Sequence, residues 1–381
     1  MRKRKWYRLF MIVAMLFFIN GCGKKEVEYI EVNVDDSMFV DKFYYEQLTE
    51  EEKIIYQEIY QGVQNGDNTI QIHDILPDKA NQILQNVMYD FPEIFWLDGA
   101  SSSTQYSETL LEQGYTVIEP VYVYGQEERA KKSAEIKAKA GEILASIPIE
   151  SGEYEKIKYI YEYLINHIDY VEYAEDNQNI YSALVNGKSV CAGYAKANQF
   201  LLNELGIYCT YVTGTSQNED GTEAHAWNIV RLDGKYYYVD VTWADPIKTE
   251  GQIADSIVIY DYLCCSEEEL MKTHTLDEGY DYPVCNSEDW NYYQRNQMYY
   301  ESADEQTILQ AMYESIDQGE DATIFKFSNS TLYEEGRGRI INGLAETGAL
   351  YLGEQYGLRE ITYSFEENRF LNKIVVYWCY E

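Results

Sequence analysis

Histidine is scarce in this chain: four residues in 381, His73, His167, His225 and His274, none in a Cys/His cluster of ligand spacing. A metal centre of that kind is therefore poorly supported, and no calcium loop of the usual spacing is present. Cysteine is also sparse, with seven residues and no pattern resembling a small disulfide scaffold. Setting Cys22 and Cys191 aside leaves Cys209, Cys264, Cys265, Cys285 and Cys379, an odd set that cannot pair completely. Cys209, inside the apolar run Ile207 to Val212, reads as a buried core thiol, and a bridge from Cys264 or Cys265 to Cys285 stays open. Positive charge is short as well, with 30 Lys and Arg against 65 Asp and Glu. Such a surface repels nucleic acid and anionic lipid; it suits solubility at a cell surface and leaves room for cationic substrates. Internal repeats and long disordered tracts are lacking, and the apolar run Leu9 to Ile19 is too short to span a bilayer as a stable helix.

What is there begins with the leader. Arg2, Lys3, Arg4, Lys5 and Arg8 precede that apolar run, and Ile19-Asn20-Gly21-Cys22 follows it. The arrangement resembles a bacterial lipoprotein signal, in which Cys22 becomes the lipidated first residue of the mature chain. A plain secretory signal or a single N-terminal anchor are the alternatives, and both also place the bulk of the chain outside the cytoplasm. Removing 21 residues leaves 25 basic against 65 acidic side chains, which makes the remainder more acidic still.

Five segments are expected: a signal peptide at 1–21, a tether at 22–47, an N-terminal α+β domain at 48–125, a core at 126–288 and a C-terminal α+β domain at 289–381. Leu48 to Asn65 reads as an amphipathic helix, with Thr49 as N-cap and Glu52 three residues on. A second helix is expected over Asp78–Tyr89, extended structure from Asp90, and a strand over Tyr115–Tyr124. Helices follow at Glu127–Ser146 and Glu153–His167. In the C-terminal segment, helices are expected at Thr307–Gln318 and Arg337–Thr347, and strands at Ala322–Phe327, Ile361–Phe365 and Ile374–Trp378. No chemical motif is recognisable there. Tyrosine is abundant, 39 residues against 12 Phe, and most of these rings are expected half-buried at strand faces.

Three residues stand in contexts that suit thiol chemistry. Cys191 lies in GKSVCAGYAKANQFLLNELG, a glycine turn running into the first turn of a helix. Tyr194, Ala197, Leu201 and Leu205 recur along that helix as a stripe expected to pack on the sheet. His225 opens HAWNIVRL and Asp240 closes KYYYVD, with Asp233-Gly234 between the two strands. Asp-Gly is a strong two-residue hairpin signal and fixes the register. Leu232 then faces Lys235, His225 faces Thr242 and Trp227 faces Asp240. Side chains alternate along a strand, so His225 and Asp240 project from one side as diagonal neighbours. A slip of one residue would separate them.

The stretches YSALVNGKSVCAGYAKANQFLLNELGI, HAWNIVRLDGKYYYVD and VTWADP resemble the transglutaminase-like core of the papain-like cysteine enzymes, over about Tyr159 to Pro246. The resemblance implies an α+β fold with the Cys-bearing helix packed on an antiparallel sheet. It also implies that Cys191 is the nucleophile, His225 its base and Asp240 the orienting carboxylate. A second oxyanion donor upstream of the cysteine is expected, with Tyr170 the candidate and Tyr173 and Tyr181 equally available. YDFPEIFWL resembles a segment common in bacterial members, read here as aromatic core rather than a substrate-facing wall. His167 competes as base but lacks an evident carboxylate partner and sits at a helix end, where it can cap carbonyls. Trp227 is placed to shield the His–Asp bond or to serve as core. Asn228 falls on the other face, and Gly187 and Asp245-Pro246 read as turn geometry.

The function expected is a surface-anchored thiol enzyme attacking amide or peptide carbonyls of the cell envelope through a thioester, without cofactor or metal. Water as acceptor makes it a peptidase or amidase and is favoured; an amine makes it a protein-glutamine acyltransferase. A binding module that retains the fold, or a scaffolding lipoprotein, are the non-catalytic alternatives. Protein or peptide substrate and membrane, through Cys22, are the expected partners.

Overall fold

The computed structural model describes residues 29–107, 114–218, 221–245 and 258–380; the leader, Cys22 and Pro246 lie outside the described residues. Two compact units divide the chain. Among the described residues, one comprises those up to Asp35, Thr49–Gln85 and those within Asp98–Tyr122; the other comprises Asp36–Leu48, Asn86–Leu97 and those from Val123 onward.

In the first unit a helix runs over Glu50–Asn65. The Glu52 N–H donates to Thr49 Oγ1 at 3.3 Å and the Thr49 N–H donates to the Glu52 carboxylate at 2.9 Å, the reciprocal cap expected of that spacing. The helix packs on a three-stranded sheet of β1 (Ile70–His73), β2 (Leu97–Ser107) and β3 (Tyr115–Tyr122), with β3 in the middle. Extended structure begins at Leu97 rather than at Asp90. The Phe91 N–H still bonds Val87 O at 3.0 Å, and the Ile94 N–H closes a turn on Phe91 O at 2.9 Å across Pro92. Phe91, Phe95 and Trp96 are buried, as aromatic core should be.

The second unit holds the α+β core. Helices Gln126–Ala145 and Glu153–His167 lead into two short parallel strands, β4 (Asp169–Tyr170) and β5 (Lys188–Ser189), and then into the helix Cys191–Glu204. A four-stranded antiparallel sheet follows, built of β6 (Cys209–Asn218), β7 (Gly221–Leu232), β8 (Lys235–Val239) and β9 (His274–Leu276), in the order β8-β7-β6-β9. Three tyrosines depart from the general expectation. Tyr44, Tyr161 and Tyr194 are fully buried on helices, not half-buried on strands. Each is tolerated because its hydroxyl lies within hydrogen-bonding distance of a main-chain carbonyl: Tyr211 O at 2.9 Å, Ile259 O at 2.6 Å and Ile168 O at 2.6 Å respectively.

Beyond Asp289 a second four-stranded sheet forms from β10 (Tyr299–Tyr300), β11 (Ala322–Phe327), β12 (Tyr363–Asn368) and β13 (Lys373–Trp378), in the order β10-β11-β13-β12. Helix Glu305–Asp317 matches expectation within two residues. The helix expected over Arg337–Thr347 is instead two, Ser330–Arg339 and Ala345–Tyr356, around a break at Asn342–Gly343 where Gly343 takes φ 151°. Met312, Phe325, Leu352 and Trp378 lie in the core between these helices and the sheet.

Two buried lysines face each other across β11 and β13: Lys326 and Lys373 are register partners. Between them sits the fully buried Asp261 carboxylate, which accepts from Lys326 at 3.3 Å, from Lys373, and from the Tyr293 hydroxyl at 2.9 Å. Lys326 also reaches Glu269 at 2.7 Å. Burial opposes the charge of Asp261, yet the two ammonium groups hold its carboxyl below the usual range. Removing one member of such a cluster strands the others without a counter-charge, so Asp261→Ala is expected to lose about 3–5 kcal/mol. Urea unfolding monitored by circular dichroism checks this; a loss under 1 kcal/mol would contradict it.

Candidate active site

The hairpin takes the register its sequence implies. Asp233 and Gly234 adopt φ 51° and 74°, the pair of positive angles that a tight two-residue turn requires. Leu232 pairs with Lys235 and Asn228 with Val239. The ladder ends at Val239, and the Asp240 N–H is held instead by Tyr262 O at 3.0 Å. His225 and Asp240 therefore meet: Nε2 of the imidazole lies 2.7 Å from Asp240 Oδ2, with both side chains buried. An ionised carboxylate only accepts, so Nε2 carries the proton on the Asp240 side, and the Cys191 thiol is a further group that acts on the same imidazole.

Asp240 is more heavily engaged than the sequence suggested. Its Oδ1 accepts the main-chain N–H groups of Thr242 at 2.9 Å and Trp243 at 3.1 Å. Its Oδ2 is shared with a second imidazole, His274 Nε2 at 3.0 Å. His274 arrives on β9, whose register sets it opposite Ser216 of β6, and its Nδ1 lies 2.8 Å from Thr273 Oγ1. Gly214 allows this approach, because a Cβ there would stand 2.0 Å from Thr275 O and 2.8 Å from the Trp227 ring. Trp227 and Trp243 close over the pair, with ring centroids 5.0 and 4.7 Å from that of His274. Burial works against charge on both members of the first pair. For Asp240, the charges and N–H groups of the two histidines prevail and hold the carboxyl well below its ordinary range. For His225, the Asp240 charge and hydrogen bond, reinforced by Cys191, prevail and raise the imidazole to about 10.

Cys191 is half-buried at the first turn of its helix, against the cluster of Ala195, Tyr211 and Ala226 on which Tyr89 also packs. The helix is buried on two sides, and this corrects the expected stripe. Ala195 packs on the sheet, and Asn198 Nδ2 donates to Asn228 Oδ1 at 2.9 Å. Tyr194, on the expected stripe, points away to Ile168 O and to Asp245 Oδ2, at 2.6 and 2.9 Å. The sheet takes small and amide side chains because Asn228 must also donate to Ala195 O and Thr210 O, at 3.0 and 3.2 Å. Asn228 is thus a structural clamp on the opposite face from His225.

The other candidates separate by position. Tyr170 pairs in register with Ser189, two residues before Cys191. Burial and the charge of Cys191 push its phenol up to about 12, so it stays a hydrogen-bond donor at any ordinary pH. Tyr173 is 93% exposed, and the Tyr181 hydroxyl is taken by Glu135 at 2.8 Å. His167 caps its own helix, with Nδ1 2.8 Å from Tyr163 O. Gly187 closes the short helix Ser182–Asn186 at φ 65°. Trp227 stacks beside His225 at 5.7 Å and belongs to the core as well. Cys209, Cys264, Cys265 and Cys285 are buried free thiols, and Cys379 is a half-buried one. The ligand atoms of His225, Asp240 and His274 lie within 4.8 Å of one another. The hydrogen bonds just described already account for that closeness.

Residues 144–241 match the family model of the transglutaminase-like superfamily. The chain carries a transglutaminase-like domain. Over 122 residues it is 29% identical to kyphoscoliosis peptidase of Mus musculus, covering 28% of this chain and 18% of that protein. The Homo sapiens protein of that name is 28% identical over 127 residues, covering 29% and 19%. The chain thus spans under a fifth of the length of the curated relatives it matches. Among solved structures, a TGase overlaps 50% of this chain and 54% of its own at 16% identity and a TM-score of 0.27. The periplasmic domain of TgpA from Pseudomonas aeruginosa overlaps 37% and 65% at 19% identity and a TM-score of 0.21.

Within this transglutaminase-like domain and the strand that follows it, His274 is the site residue that the sequence reading passed over. It lies 34 residues beyond Asp240 with no motif around it, and sheet pairing alone brings it in. The opposed shifts of His225 and Asp240 fix how stability depends on pH. The folded imidazole, near 10, lies above its unfolded value of about 6.5. Its stabilisation is therefore full below about pH 6.5 and lost as pH rises toward 10. Asp240 is lowered, so its contribution is present above about pH 3.9 and lost as pH falls through its folded value. Urea midpoints of the wild type should decline between about pH 7 and 9, and His225→Gln should flatten that decline; equal slopes would contradict the assignment.

Proposed function

We propose that the protein is a cysteine-dependent peptidase or amidase, working outside the cytoplasm from a lipid anchor on Cys22. One observation supports this reading: the buried His225 imidazole lies 2.7 Å from the Asp240 carboxylate and is also acted on by the Cys191 thiol. Nucleophile, base and orienter in one row is the arrangement that covalent acyl transfer needs. The curated relatives are named as peptidases, and the basic leader with Gly21-Cys22 supports the anchor.

The chemistry follows from the atoms. The Cys191 proton passes to His225 Nδ1, and Sγ attacks the substrate carbonyl carbon. The oxyanion is held by the main-chain N–H of Cys191, one of the first-turn groups without an intrahelical partner, and by the Tyr170 hydroxyl. Collapse breaks the C–N bond, and the leaving amine takes the proton from His225, which leaves a thioester. His225 then removes a proton from water, whose oxygen attacks the thioester carbonyl. Breakage of the C–S bond releases the acid, and Cys191 recovers its proton from His225. Asp240 remains ionised throughout and keeps the imidazole in the tautomer with Nε2 protonated.

Incubation with glutamine-containing peptides, with and without a primary amine, tests both activity and acceptor. The expected result is amine or ammonia release into water without amine uptake; uptake would make the protein an acyltransferase. Cys191→Ala should abolish turnover, and His225→Ala should lower kcat by about 10²–10⁴-fold. Tyr170→Phe should lower kcat by about 10²-fold with little change in KM. Unchanged turnover in Cys191→Ala would remove the enzyme reading and leave a binding module.

A further inference from the structure

His274 is fully buried, with its side chain 0% exposed, so it has no route to a substrate. Whatever it does, it does through Asp240. The carboxylate has about four acceptor positions, and four donors occupy them: the Thr242 and Trp243 N–H groups on Oδ1, His225 and His274 on Oδ2. The two on Oδ1 come from the main chain and already fix where the group points. The two on Oδ2 compete for the same negative charge. A carboxylate that accepts several N–H bonds is a weaker partner for each of them.

We propose that His274 is a positioning residue that shares the Asp240 charge with His225, so that the catalytic imidazole can release its proton during turnover. The inference rests on the thiol-hydrolase reading for its purpose, although its physical content does not. A base that must deprotonate water in the second half of the reaction works best with a proton affinity near the working pH. A buried carboxylate aimed at His225 alone would hold the imidazolium too firmly. His274 reduces that hold while leaving geometry intact. Its surroundings are built for a fixed donor. Nδ1 is occupied by Thr273 Oγ1 at 2.8 Å, which directs Nε2 to the carboxylate, and Trp227, Trp243 and Tyr262 surround the ring. Among the described residues, other titratable groups that feel the Asp240 charge are Tyr161 on helix Glu153–His167, and Tyr262 and Cys265 on the segment after β8. Burial keeps all three in their neutral, protonated forms, so none competes for the role.

Histidine NMR provides the test, helped by a chain with four histidines. In ¹⁵N-histidine-labelled Cys191→Ala protein, which removes the sulfur from the titration, the His225 pKa is read directly. His274→Phe keeps a ring of similar size without the N–H and should raise it by about one unit, tenfold in proton affinity. His274→Gln, whose amide N–H can reach the same oxygen, should leave it nearly unchanged. Should His274→Phe not fold, His274→Gln decides: with an N–H kept for the same oxygen, the His225 pKa must stay close to that of the parent Cys191→Ala protein. A His225 pKa unmoved or lowered in His274→Phe, or raised by about one unit in His274→Gln, would overturn the proposal and leave packing as the role of that ring. Turnover in the Cys191 protein is measured separately. Its absence would count against the hydrolase reading alone, whereas an unmoved pKa would count against charge sharing alone.

Discussion

A carboxylate taken entirely out of water is tolerable only when its lone pairs are filled, and Asp240 is the point on which the rest of the site depends. Its four donors come from three places: the turn that follows β8, the neighbouring strand β7, and β9 on the far edge of the sheet. Each of those places must be correct for the charge to stay buried. The sheet order β8-β7-β6-β9 is what lets His225 of an inner strand and His274 of an edge strand share one oxygen of a residue just beyond the opposite edge. The same closure holds the His225 ring in one orientation, which the proposed catalysis requires of it.

Much of this was legible because the signals are local. Asp233-Gly234 between alternating strands dictates a register, and the register dictates that His225 and Asp240 share a side. The reciprocal cap at Thr49 and Glu52 and the bounds of helix Glu153–His167 are equally local and equally readable. Readings weakened wherever a second element intervened. The face that helix Cys191–Glu204 offers to the sheet was misread, because burial on two sides erases the one-sided periodicity that such a reading uses. His274 was passed over for a related reason: the strand carrying it is three residues long and pairs across a long stretch of chain. Buried tyrosines escaped expectation because their hydroxyl partners are main-chain carbonyls, which any sequence supplies.

The segment after Asp289, which carries no motif, has a physical connection to the site. Lys326 and Lys373 close on Asp261, the residue before Tyr262, whose carbonyl holds the Asp240 N–H. Lys326 also reaches Glu269 on the short helix Glu267–Leu270 that precedes His274. The C-terminal sheet thus meets both segments that support the buried carboxylate. A buried ionic cluster stabilises weakly relative to an apolar one, but it discriminates sharply between the paired arrangement and any other. That discrimination suits a support whose position matters more than its strength.

The central claim, that Asp240 and His225 make Cys191 a nucleophile, is tested most directly by the rate at which iodoacetamide alkylates Cys191 at neutral pH. Wild type should react faster than free glutathione, and Asp240→Asn should fall to or below that reference while remaining folded by circular dichroism. A wild-type Cys191 no faster than glutathione, or one whose rate Asp240→Asn leaves unchanged, would contradict the account.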